Sequence, residues 1–158
     1  MSTDRDNTTR TKARRRAVEI LYEADIRGED PGEVLAVRID SGQPPVRPFT
    51  GELVSGVAEH LDQIDALLRA ALSEGWTLER MPSVDRSLAR LAAFELAHTG
   101  TDLKVVAHEA GDLAAELSTE QSPRFITALV DRIAHTLAAT LPDPEPGPRD
   151  SAGADTGT

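Results

Sequence analysis

Between Lys12 and Leu137 apolar residues recur three and four positions apart, a spacing that predicts amphipathic helices and no strand. Ala17, Ile20, Leu21 and Ala24, with Ile26 at the margin, form the first apolar face, and Gly28 supplies a left-handed stop. Asp30-Pro31 reads as the N-cap and first-turn proline of a short helix through about Ile39. The prolines of SGQPPVRP (41–48) cannot donate backbone hydrogen bonds and mark a loop. Leu53, Val57, Leu61, Ile64 and Leu68 then phase as the stripe of one long helix from about Thr50 to Leu72. Val54, Leu67 and Leu72 widen that stripe, and Gly75 breaks it. A short piece, TLERM (77–81), is stopped by Pro82. Ser83 is placed as the N-cap of a helix carrying Val84, Leu88, Leu91 and Leu96, closed by Thr99-Gly100. Val105, Val106, Ala110, Leu113, Ala114 and Leu117 phase the next helix. Ser122-Pro123 opens the last one, through Phe125, Ile126, Leu129, Val130, Ile133 and Leu137. The expected fold class is all-α, a compact bundle of about six or seven helices.

Composition narrows the chemistry. Only 3% of the 158 residues are aromatic, so Leu, Val, Ile and Ala must fill the core of a single domain. Without cysteine there is no disulfide framework, thiolate zinc site or cysteine nucleophile. No stretch approaches the roughly 20 apolar residues that cross a bilayer, and no signal-peptide run follows the N-terminal charges; a cytoplasmic protein is expected. His60, His98, His108 and His135 have no metal-ligand spacing, and the glycine motifs of phosphate loops, dinucleotide sites and nucleophile elbows are absent. No enzyme is expected, and no metal or cofactor.

Charge adds one asymmetry. The chain has a net charge of −10, yet residues 1–16 hold Arg5, Arg10, Lys12, Arg14, Arg15 and Arg16 against Asp4 and Asp6. A basic end on an acidic body can attract a polyanion locally; the plainer reading is a solvated terminus. The expected division is a flexible basic arm over 1–10 and a helical domain over 11–141. A disordered tail follows over 142–158, where Pro, Gly and Asp leave nothing to bury.

Three segments in order resemble the NusB family. The first is Arg10-x-x-Ala13-Arg14-x-x-Ala17-x-x-x-Leu21-Tyr22. The second runs Trp76-Thr77-Leu78-Glu79-Arg80-Met81-Pro82-Ser83-Val84-Asp85-Arg86 and on to Leu88, Arg90, Leu91, Phe94, Glu95 and Leu96. The third is Glu109-Ala110 with Leu113-Ala114, then Ser122-x-x-Phe125. The third departs from the family pattern at His108, Ala115, Gln121, Thr127 and Ala128.

The resemblance implies two packed three-helix subdomains. It implies a transcription antitermination factor that binds single-stranded boxA-type leader RNA of rRNA operons together with the ribosomal protein NusE, within an RNA polymerase antitermination complex. By matching position, Arg10, Lys12 and Arg14 would contact phosphates or bases, assisted by Arg15 and Arg16. Tyr22 and Phe125 would stack or hydrogen-bond, with Gln121 beside the RNA. Asp85 and Lys104 would face the protein partner. Arg90 with Glu95 or Glu109 is expected as a structural ion pair, because an unpaired buried charge is costly. A homodimer is left open. The alternative reading, drawn from the departures, is a protein-interaction module of the same fold with weakened RNA binding. The RNA-binding half of an rRNA cytosine methyltransferase is disfavoured, since no nucleotide-binding α/β half follows here.

Overall fold

The computed structural model describes residues 2–140, with side chains described from Thr8 onward. Seven α-helices follow one another: α1 (Ser2–Arg27), α2 (Pro31–Ser41), α3 (Pro48–Glu59), α4 (Leu61–Ala71), α5 (Ser83–Phe94), α6 (Leu103–Leu117) and α7 (Ser122–Thr140). A 3-10 turn, Leu78–Arg80, precedes α5, and a π turn, Glu95–Thr99, extends it. No strand occurs among the described residues. Helices α1, α2 and α3 pack on one another; α4, α6 and α7 gather around α5, which also meets α1 and α3. One apolar core joins the two sets, with Ile20, Leu53, Ile64, Leu68, Leu88, Leu113, Ile126, Leu129 and Ile133 all fully buried.

Local signals act as the sequence predicts at several boundaries. Asp30 caps α2, its carboxylate accepting from the Gly32 N–H at 2.7 Å and the Glu33 N–H at 3.3 Å. Gly28 (φ +66°) and Gly100 (φ +68°) end their helices in the left-handed region, where a side chain would be strained.

Other boundaries differ. The single helix expected from Thr50 to Leu72 is two, because His60 leaves helical geometry (φ −113°, ψ 20°). The apolar stripe keeps its phase across the break, but α3 packs on α1, α2 and α5 whereas α4 packs on α5 and α7. Gly56 sets how closely α3 approaches α5: a Cβ there would lie 2.0 Å from Cζ of Phe94, whose ring occupies that space. Ser83 is the first residue of α5 rather than its cap; Pro82 holds the cap position, and the Ser83 hydroxyl accepts from Arg86 at 3.2 Å. Ile26 and Val105 are exposed, each turned off the inward face defined by their neighbours Ala24 and Val106. From Ser2 the segment expected as a separate arm continues the helix of α1. The tail expected over 142–158 lies outside the described residues.

Candidate nucleic-acid interface

Successive residues on a helix point about 100° apart, so the arginine run of α1 cannot face one way. Arg14 is directed inward with Ala17 and Leu21 and is 3% exposed. Its Nε donates to both Glu95 oxygens at 3.1 Å and its Nη2 to one at 2.8 Å, while Glu109 lies 3.8 Å from Nη1. Thr11 adds a hydroxyl donor to Glu109 at 3.0 Å. The expectation that Arg14 touches RNA is therefore corrected, since its guanidinium serves two buried carboxylates. The i, i+3, i+7 phase of Arg14 with Ala17 and Leu21 was the available signal.

The pairing expected for Arg90 is corrected as well. Arg90 donates to Asp65 at 2.9 and 3.0 Å and to Asp25 at 3.2 Å, not to Glu95 or Glu109. Arg86 donates to Asp25 at 2.7 Å and to the Leu78 and Met81 carbonyls. Burial pushes the Asp25 carboxyl up, but hydrogen bonds from Arg86 and Ser83 and the charges of Arg86 and Arg90 outweigh it and hold it below the ordinary value of 3.8. A carboxyl depressed on folding stabilises the fold above its unfolded value and loses that contribution as pH falls through the folded one. Chemical denaturation at pH 6 and pH 3 should accordingly show the wild type losing more stability than Asp25→Asn. Equal losses would mean that Asp25 does not carry the acid sensitivity.

Outward, α1 presents Arg10, Lys12, Arg15 and, half-buried, Arg16. Arg10 lies over the Phe49 ring, 5.2 Å from its centre. Arg15 pairs with Glu116 and, at 3.7 Å, with Glu19; Arg16 pairs with Glu19 at 3.2 Å. Among the described residues Arg10 and Lys12 carry no ion pair. Tyr22 is 40% exposed and lines a shallow groove with Arg16, Glu23, Ile26 and Arg38.

Asp85 is 4% exposed, and this corrects its expected role as a partner contact. Its carboxylate accepts from the Ser118 hydroxyl at 2.6 Å and the Ser122 hydroxyl at 3.1 Å, tying the start of α5 to the turn between α6 and α7. Lys104 is exposed at the first turn of α6.

The anchored turn presents exposed Gln121 and half-buried Phe125 at one wall of a groove of about 710 Å³, whose lining includes Arg124, Ala128 and Arg132. Trp76 forms part of the same groove, its ring 5.1 Å from that of Phe125 and tilted by 44°. Tyr22 and Phe125 thus line separate grooves. Sequence reasoning did not single out Trp76 as a site residue; its signal was a lone aromatic after a helix-breaking glycine, outside any apolar stripe. Among the departures, His108, Ala115 and Ala128 are exposed, and the Thr127 hydroxyl is turned back on the Pro123 carbonyl at 2.9 Å. Among the described residues no cluster of three metal-ligating side chains occurs, and no helix is long and apolar enough to cross a membrane.

The model of the NusB family matches residues 11–135. This chain belongs to the NusB family. A transcription antitermination protein NusB from Cutibacterium acnes is 51% identical over 128 residues, covering 81% of this chain and 49% of that protein. The chain thus spans about half the length of that relative. The corresponding protein of Salinispora tropica is 49% identical, covering 79% of this chain and 94% of that one. Among solved structures, T. maritima NusB superposes with a TM-score of 0.70 at 30% identity, over 80% of this chain and 90% of that one. A crystal structure of antitermination factors NusB and NusE in complex with dsRNA gives 0.70 at 25% identity, over 80% and 96%. The NusB match takes in both the outward face of α1 from Thr11 onward and the Trp76–Phe125 groove.

Proposed function

We propose that this chain is a cytoplasmic, non-enzymatic transcription antitermination factor. It binds boxA-type leader RNA of rRNA operons together with NusE and promotes processive transcription. The observation that carries the reading is the concentration of unpaired cations and aromatic faces on one domain of an acidic protein: Arg10 and Lys12 on α1, and Trp76 and Phe125 with Arg124 and Arg132 at the second groove. Guanidinium and ammonium groups neutralise phosphates, and aromatic rings stack unpaired bases whatever their identity. Gln121 at the groove rim offers an amide for base edges.

A second reading, a protein-interaction module with weakened RNA binding, draws support from the net charge of −10 and from the loss of Arg14 to the core. Titrating boxA-type and scrambled RNA, single- and double-stranded, with and without NusE separates the two. The antitermination reading expects boxA affinity to rise when NusE is present, and RNA to tighten NusE binding by the same factor, since the coupling is reciprocal. NusE binding with no RNA binding under any condition would favour the interaction module.

A further inference from the structure

A fifth cation faces the basic side of α1 from a different part of the chain. Pro44, Pro45 and Arg47, in the connection between α2 and α3, form one wall of a groove of about 550 Å³; Lys12, Arg15, Arg16 and Glu19 of α1 form the other. Four cations there meet one carboxylate, in a chain whose net charge is −10. Arg15 and Arg16 are partly neutralised by Glu19 and Glu116, whereas exposed Lys12 and Arg47 carry no ion pair among the described residues. Arg16 leaves a further donor unused, for its Nε is buried and has no hydrogen-bond partner.

The second wall is stiff. Prolines at 44, 45 and 48 flank Arg47 and fix their own φ angles. Thr50 clamps the start of α3 to α1, its hydroxyl donating to the Ala13 carbonyl at 2.9 Å. Phe49 takes the Arg10 and Arg14 guanidinium groups at 5.2 and 5.4 Å from its ring centre. Little freedom of the connecting backbone remains to be lost when a ligand enters.

We propose that this groove is a track for the phosphodiester backbone of RNA, in which Arg47 makes a phosphate contact outside α1. The inference rests on the RNA reading above and extends its footprint across the α2–α3 connection. A fork of N–H donors beside an ammonium suits a phosphate's several oxygens.

The salt dependence of RNA affinity tests it, measured in the presence of NusE for the full chain, Arg47→Ala, Arg47→Lys and the control Arg80→Ala. Arg80 is exposed, lies outside this groove and the Trp76–Phe125 groove, and carries no ion pair among the described residues. Arg47→Ala should weaken binding of unrelated RNA sequences alike and reduce the slope of log affinity against log salt by about 0.7 for single strands. Arg47→Lys should keep the slope, Arg80→Ala should leave it unchanged, and polyglutamate should not compete. An unchanged slope for Arg47→Ala, with the wild type binding RNA, overturns the track alone. Efficient competition by polyglutamate would make the groove a site for acidic peptide instead. Absence of RNA binding by the wild type would remove the RNA reading and the track together.

Discussion

Replacing Arg14 by alanine should cost the fold about 3–5 kcal/mol and leave the RNA affinity of the molecules that remain folded unchanged. The guanidinium is buried between α1, the π turn after α5, and α6, and it is the cation that both Glu95 and Glu109 face. Removing it strands two carboxylates in a region from which water is largely excluded, a larger penalty than the contacts themselves return. Urea denaturation measures the loss. Replacing the pair together, as Arg14→Met with Glu95→Leu, should recover part of it, because the carboxylate at 95 goes with its partner and only Glu109 is left without the guanidinium. Stability within about 1 kcal/mol of wild type for Arg14→Ala, with RNA affinity falling as it does for Lys12→Ala, would return Arg14 to the RNA surface.

The second large effect belongs to Trp76. Trp76→Ala should lower RNA affinity by about 1–3 kcal/mol, the range for one base stacked on an aromatic face, while Trp76→Phe should keep most of the affinity. Its indole is 49% exposed, lies against the Phe125 ring, and lines the groove that also holds Arg124 and Arg132. Fluorescence of this single tryptophan offers a direct readout, since a stacking base should quench it. Unchanged RNA affinity with a lowered melting temperature would reduce Trp76 to a packing partner of Phe125.

Both predictions fall where the sequence and the structure part. Arg14 and Arg10 look alike in the arginine-rich segment, but the four-residue interval turns them only about 40° apart on the helix, and their neighbours decide the rest. Arg14 meets Glu95 and Glu109, residues 81 and 95 positions away, whereas Arg10 meets Phe49 and solvent. Asp85 was legible as a carboxylate in the first turn of a helix, and that placement holds. Nothing local to it announced that Ser118 and Ser122 would close over it. Trp76 and Phe125 are likewise 49 positions apart, and only the anchored α6–α7 turn makes them one surface.

By itself the sequence determined the all-helical class, the inward faces of most helices, the Asp30 cap, the glycine stops at Gly28 and Gly100, and the family. These depend on short-range spacing, on one residue's backbone preference, or on side-chain identities met in order, all of which can be read along the chain. The tertiary structure alone decided the break at His60, the partners of Arg14 and Arg90, the inward turn of Asp85, and the grooves that hold Trp76 and Arg47. Periodicity reports which side of a helix is apolar. It does not report which helix that side will meet, and the direction of a charge at the edge of an apolar face is set by the opposite charge that packing brings to it.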